Sequence, residues 1–361
     1  MRVSVARILA NQEPNGALVA SRDFATYNYC WLRDGSFIAF ALDRAGEHQA
    51  ARRFHLWVAS AISGIAGLID RATARHGRPD GLVLDRMPPA RFGLDGSVVA
   101  DDWPNFQIDG YGTWLWALEH HLTMSADLTA AAEFLPAVRR VAGYVNAYAL
   151  SNCFDVWEEH ASARHGSTLA CVYGGLMSAS RTLAMEELAA TAEAVRAVVT
   201  DSAARLGHFV KSSRSDAVDS SLLWLATPFG LVEPRDPFFQ ETVRLIVEEL
   251  TYEGGLRRYP ADTYYGGGAW PVLTASLGWH YAATGDREAA RNCHKWITDH
   301  IDAEGRLAEQ FGGERRDPVH YAEWKQQWGP PATDLAWSHA MYVVLCTELN
   351  AQADVIDGAV A

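Results

Sequence analysis

Three carboxylates and a tryptophan fall within five residues at Asp155-Val156-Trp157-Glu158-Glu159, with His160 next and an apolar helix beginning near Ser167. In a closed site, like-charge repulsion and desolvation by the indole favour keeping one of Glu158 and Glu159 protonated. That is what a general acid working near neutral pH requires. The same residues would also suit an acidic helix start that complements the macrodipole. A second carboxylate, Glu309, sits in Gly305-Arg306-Leu307-Ala308-Glu309-Gln310-Phe311, where a glycine turn leads an apolar-flanked glutamate toward a core. Taken alone, that pattern reads as structural.

Three further segments combine aromatic rings with charge. Tyr27-Asn28-Tyr29-Cys30-Trp31-Leu32-Arg33-Asp34-Gly35 places an Arg–Asp pair at a helix start. Asp34 can cap that helix, and an Arg–Asp pair among aromatics can also grip vicinal hydroxyls, as a sugar presents them. Arg258-Tyr259-Pro260-Ala261-Asp262-Thr263-Tyr264-Tyr265 repeats the theme before Gly266-Gly267-Gly268. Those glycines have no strand before them and no Lys-Ser/Thr after them, so they are not a phosphate loop. Trp103-Pro104-Asn105-Phe106-Gln107-Ile108-Asp109-Gly110 is the third such loop.

Other chemistries lack their patterns. His120-His121 and His160/His165 do not have H-E-x-x-H spacing, and no oxygen-rich D-x-D-x-D loop occurs, so neither a metal nor a cofactor is expected. There is no G-x-S-x-G elbow for a serine hydrolase and no strand-borne G-x-G-x-x-G for a nucleotide.

The elements that would carry these loops are helices. About twelve are expected, near 2–12, 34–45, 53–71, 109–124, 128–149, 167–183, 185–212, 217–226, 237–250, 268–284, 287–302 and 334–349. Arg53–Arg71 illustrates the signal, with Phe54, Trp57, Val58, Ile62, Ile65 and Ile69 on one face. Gly81–Val99 reads as an extended excursion or small hairpin. The long connections 22–34, 78–108, 151–166, 252–267 and 303–333 hold the aromatic and charged residues, as functional loops do. Helix, short turn, helix and long loop, repeated about six times, is the rhythm of an α/α toroid with its polar loops at one rim. No linker or low-complexity tract divides residues 1–361, so a single domain is expected.

The 361 residues carry a net charge of −13, which argues against nucleic-acid and anionic-membrane binding. No apolar run is long enough for a transmembrane helix, and the N-terminus lacks a signal-peptide core. Cys30, Cys153, Cys171, Cys293 and Cys346 are far apart and odd in number, as buried reduced thiols of a cytoplasmic protein would be. Thirteen tryptophans suit either a cleft that stacks flat ligands or a well-filled core. Nothing in the sequence speaks to oligomeric state.

Six segments, in order along nearly the whole chain, resemble glycoside hydrolase family 15, the glucoamylases with their glucodextranase and trehalase relatives. They are Tyr27–Asp34, Trp103–Gly110, Asp155–Glu159, Arg258–Tyr265, Leu307–Phe311 and Asp334-Leu335-Ala336-Trp337-Ser338. The resemblance implies an (α/α)6 barrel and inverting exo-hydrolysis that releases β-D-glucose from the non-reducing end of α-glucosides, with an oligosaccharide as the ligand. It further implies that Glu158 is the general acid, Glu309 the general base, and Arg33, Asp34 and Arg258 the residues holding the terminal glucose. Tyr27, Trp31, Trp103, Trp157, Glu159, Asp262 and Trp337 match positions around the first two subsites. An inverting pair must stand far enough apart to admit water, and two loops roughly 150 residues apart can supply that gap.

The chain departs from many bacterial members in starting at the first barrel helix, without an N-terminal β-sandwich, and it shows no starch-binding module. Short soluble glucosides are therefore the expected substrates. The loop at 77–99 and the residues 160–164 would shape the leaving-group side, and linkage preference is not legible in them. Two alternatives stay open on the same barrel: an α,α-trehalase, and a non-catalytic carbohydrate-binding or regulatory domain. A phosphorylase or lyase is disfavoured, because phosphorolysis would need an anion site where Glu309 stands.

Overall fold

Six buried helical elements begin at one rim of the molecule and form a closed ring. The computed structural model describes residues 1–77, 87–125 and 131–358. The inner ring runs α2 (Leu32–Arg44), α5 (Asp109–Met124), α7 (Gly166–Leu183), the 3-10 segment Ser220–Leu225, α10 (Pro271–Thr284) and α14 (Ala336–Gly358). Each packs on the next, and α14 returns to α2. Outside them lie α1 (Arg2–Ala10), α3 (His48–Gly64), α4 (Ala66–Arg75), α6 (Ala131–Tyr148), α8 (Glu186–Leu206), α9 (Pro237–Leu250) and α11 (Arg287–Asp299). Each outer helix but α4 packs on an inner neighbour, α1 lying on α14, whereas α4 lies on the outer helix α6. The expected (α/α)6 barrel is the architecture observed.

Sequence explains which helices are inside. In α2, twelve consecutive residues from Leu32 to Asp43 are buried, and α10 is apolar almost all round, so neither has a face for solvent. By contrast, α11 buries only Ala290, Cys293 and Ile297. Where α5 meets α7 the backbones touch. A Cβ on Gly175 would lie 2.4 Å from the Gly112 carbonyl oxygen, so only glycine fits there.

The barrel axis is filled by aromatic rings. Phe37 of α2 packs against Trp116, Trp224, Phe229 and Trp337, with centroids 5.2–6.1 Å apart. Phe40, one turn on, stacks on Trp279 at 5.4 Å. Pairs of this kind add about 0.5–1.5 kcal/mol each beyond the area they bury. They make a solid floor beneath the rim.

Several expected elements differ in detail. The helix expected over 53–71 is two helices that break at Ile65. The one expected over 217–226 is a single 3-10 segment capped by the Asp219 side chain. The helix expected to reach residue 212 stops at Leu206, where Gly207 takes a left-handed conformation (φ 83°). Within the connection 303–333 lie two helices, α12 (Gly313–Arg316) and α13 (Pro318–Trp328). The hairpin expected near 81–99 falls partly outside the described residues. Its described part includes a two-residue strand, Arg91–Phe92, antiparallel to Cys30–Trp31. The five cysteines are free and buried.

Candidate active site

Five of the six inner elements present their first turn, or the loop leading into it, to one cavity of about 340 Å³, and the 3-10 segment reaches it only through Asp219. Arg33 and Asp34 open α2, Trp103 and Pro104 precede α5, and Val156–Glu159 precede α7. Asp219 caps the 3-10 segment and binds pocket residue Trp157. Arg258, Tyr264 and Trp270 lead into α10, and Glu309, Leu335 and Trp337 into α14. Helix starts carry partial positive charge, so this rim suits the carboxylates gathered there.

Two glutamates face the cavity, each with one oxygen hydrogen-bonded and the other free of partners among the described residues. Glu158 Oε1 accepts hydrogen bonds from Trp31 Nε1 (2.7 Å) and Gln107 Nε2 (3.1 Å). Glu309 Oε1 accepts one from the Tyr27 hydroxyl (2.8 Å), which also meets the Tyr264 hydroxyl at 2.7 Å. Glu309 Oε2 is buried without a partner among the described residues. The rings of Tyr27 and Trp31 meet edge to face, 5.6 Å apart, so an aromatic bridge stands between the two carboxylates. Glu309 is 1% exposed. Burial pushes its pKa from 4.5 up to about 7, against the pull of Tyr27, Arg258 and Tyr264.

The loop carrying Glu158 is tightly wound. Glu158 (φ 69°) and His160 (φ 55°) both lie in the left-handed region, a conformation that a non-glycine residue holds only when its surroundings impose it. Here Asp155 imposes it. Its Oδ1 accepts the backbone N–H groups of Trp157 (3.0 Å) and Glu159 (2.9 Å), and its Oδ2 is 3.1 Å from Lys211 Nζ. Lys211 also binds Asp219 (2.7 Å), which receives Trp157 Nε1 (2.9 Å). Its ammonium lies 3.8 Å from the Tyr259 ring centroid.

A ring of charge-assisted contacts surrounds the rest of the cavity. Arg33 donates to Asp109 (2.9 Å) and Gln107 (3.2 Å) and lies 3.4 Å from Asp34 Oδ2. Burial raises the Asp34 pKa from 3.8 to about 6, with Arg33 opposing. Arg258 donates to Asp262 (2.9 Å), approaches Glu159 (3.4 Å), and is enclosed by the rings of Trp157, Tyr259, Tyr264 and Trp270. The Tyr259 hydroxyl donates to Glu159 at 2.5 Å.

Residues 1–289 match the family described as Glycosyl hydrolases family 15. An isomaltose glucohydrolase of Kribbella flavida is 40% identical over 362 residues, covering 97% of this chain and 92% of its own. The chain belongs to glycosyl hydrolase family 15. It is a glycoside hydrolase. A solved wild-type glycosidase superposes with a TM-score of 0.91 at 39% identity, covering 97% of this chain and 95% of its own. A variant glycosidase in complex with glucose superposes equally well. A bacterial glucoamylase complexed with acarbose shares the fold at TM-score 0.70 and 18% identity, covering 96% of this chain and 55% of its own. Trehalase 2 of Sulfolobus acidocaldarius is 24% identical, and the match spans 47% of it.

Within this family 15 chain, the cavity gathers Tyr27, Trp31, Arg33, Asp34, Trp103, Trp157, Glu158, Glu159, Arg258, Glu309 and Trp337. Asp262 is not on its wall. It is 1% exposed and holds Arg258 from behind. Sequence reasoning missed Trp270 and the α13 residues Trp324, Gln327 and Trp328, all of which line the cavity. It also missed Lys211 and Asp219 beneath the Glu158 loop. For α13 a signal existed: Asp317-Pro318 is a helix start, and its Asp317 side chain receives the His320 N–H.

Proposed function

We propose that the protein is an exo-acting α-glucosidase that inverts the anomeric centre, with Glu158 as general acid, Glu309 as general base, and a short α-1,6-linked glucoside such as isomaltose as substrate. The observation that carries this reading is the pair of glutamates, each with one oxygen fixed by the protein and the other free, on either side of the Tyr27–Trp31 bridge.

In the proposed step, Glu158 Oε2 donates its proton to the glycosidic oxygen as the bond to the anomeric carbon breaks. A water attacks that carbon from the opposite face and gives its proton to Glu309 Oε2. The products are β-glucose, the released alcohol, an ionised Glu158 and a protonated Glu309. The two rings between the tied oxygens support a separation of the carboxylates wide enough for water, as inversion demands. Arg33, Asp34 and Arg258 supply donors and an acceptor for sugar hydroxyls, and Trp31, Trp103 and Trp337 supply apolar surface for sugar faces. The substrate choice rests on the 40% relative. Trehalase relatives stand at 24% or below, and the presence of both glutamates supports catalysis over a binding role.

Glucose release from isomaltose, maltose, nigerose, trehalose, maltooligosaccharides and dextran tests the reading. Isomaltose should give the highest kcat/KM. Trehalose as the best substrate would favour a trehalase, and no release from any of the six would favour the binding reading.

A further inference from the structure

Asp43 lies nine residues beyond Asp34 on α2, hence about 13 Å along the helix axis from the pocket. It is 1% exposed and surrounded by histidines. His121 Nδ1 of α5 lies 3.0 Å from each Asp43 carboxylate oxygen, and His48 Nδ1, at the start of α3, lies 2.8 Å from Oδ1. His55, one helical face along α3, is fully buried, with its ring centroid 5.0 Å from that of His121. Among the described residues, neither His55 nitrogen has a hydrogen-bond partner. One ligand atom from each of Asp43, His55 and His121 lies within 4.8 Å of the other two.

A buried imidazole with both nitrogens unpaired is an expensive arrangement, at about 1–3 kcal/mol for each polar group left without a partner. A neutral imidazole keeps a lone pair on one of its two nitrogens. Aromatic packing alone would be served better by a phenylalanine. What a neutral imidazole offers that phenylalanine cannot is a ligand.

We propose that Asp43, His55 and His121 form a binding site for a divalent transition metal of the zinc class. Two imidazole nitrogens and one carboxylate suit Zn²⁺, Co²⁺ or Ni²⁺ and not the all-oxygen preferences of Ca²⁺ or Mg²⁺. Donors around a tetrahedral zinc stand about 3.3 Å apart. Asp43 and His121 already meet near that spacing, and His55 needs an approach of at most about 1.5 Å, within reach of a side-chain rotation. The ion takes the place of the proton shared by His121 and Asp43, with His121 binding as its other tautomer. His48 orients the carboxylate from outside, as partners of metal ligands do. The ligands come from α2, α3 and α5, so the ion ties two inner helices to an outer one. It stands far from the pocket and plays no part in the hydrolysis proposed above.

Metal content of protein made without a polyhistidine tag, before and after equilibration with Zn²⁺ and desalting, tests the site. We expect one zinc per chain, an upward shift in Tm that chelator reverses, and a visible ligand-field band when Co²⁺ replaces zinc. His55→Gln should weaken Zn²⁺ binding by at least about tenfold, since even indirect partners of metal ligands are worth that much. His55 has no hydrogen-bond partner among the described residues to lose, so this variant separates ligation from folding better than His121→Gln, which also breaks the bond to Asp43. Substoichiometric zinc with an unmoved Tm overturns the proposal. So does equal zinc retention by wild type and His55→Gln. If the variant fails to fold, a nitrogen-coordinated cobalt spectrum in the wild type decides for the site and its absence decides against it.

Discussion

Glu309 carries the strongest consequences at the scale of single residues. Its pKa of about 7 means that the proposed base is ionised only above that pH. The acidic limb of kcat/KM should therefore fall near pH 7, where an unperturbed glutamate would place it near 4.5. Stability follows the opposite sign. Between pH 4.5 and 7 the unfolded chain releases this proton while the folded chain keeps it, so the group destabilises the fold increasingly as pH rises. Glu309→Gln should abolish hydrolysis yet raise stability at pH 8 by about 1–3 kcal/mol, with little difference at pH 4. Urea titrations at the two pH values check it; equal effects at both would contradict the assignment of this shift.

Lys211 makes a second case. It touches no point of the pocket wall but holds Asp155 and Asp219, which in turn fix the backbone and indole of the Glu158 loop. Lys211→Met should lower kcat about 10–100-fold with a smaller change in KM, because Asp155 and Asp219 lose the charge that holds them under the Glu158 loop. Lys211→Arg should restore part of both. A loss of stability with unchanged kcat and KM would make the role structural only. Nothing local in the sequence marks this lysine. Its partners lie 56 and 8 residues away, and only folding brings them together. Glu158, Glu309 and Arg33 were legible because each sits in a short motif that resembles the family's, although the groups that hold the two glutamates, Trp31 and Gln107 for Glu158 and Tyr27 for Glu309, are as remote in the chain as the partners of Lys211.

At the scale of elements, periodicity revealed the inner helices but not their terminations. The break at Ile65 and the 3-10 geometry at Ser220–Leu225 arise from packing against neighbours, which no local pattern records. The omission that matters most for function is α13. None of its residues is fully buried, so it lacks the apolar stripe by which helices are recognised. It nevertheless brings Trp324, Gln327 and Trp328 to the cavity mouth, with Trp324 packed against Tyr264 and Tyr265 at 4.9 and 6.0 Å. Trp328 is 46% exposed, so its truncation should spare the fold. Trp328→Ala should raise KM for isomaltose about 5–10-fold, the worth of about 1–1.5 kcal/mol of ring contact, with kcat nearly unchanged. Unaltered KM values across the disaccharides would remove α13 from substrate recognition.

For the molecule as a whole, the tryptophan surplus resolves into two populations. Seven line the cavity: Trp31, Trp103, Trp157, Trp270, Trp324, Trp328 and Trp337. Others, among them Trp114, Trp224 and Trp279, are core residues, and Trp224 and Trp279 belong to the aromatic filling of the barrel axis. The α/α rhythm was legible because short turns and long loops alternate, and a ring of inner helices with one common direction must collect its long loops at one rim. Two carboxylates encoded about 150 residues apart then face one pocket. The claim that joins residue, element and barrel is that these two act from opposite faces of a glucoside. Proton NMR of the first glucose released from isomaltose, recorded before mutarotation, tests it most directly. Attack from opposite faces yields the β-anomer first, and initial α-glucose would rule it out.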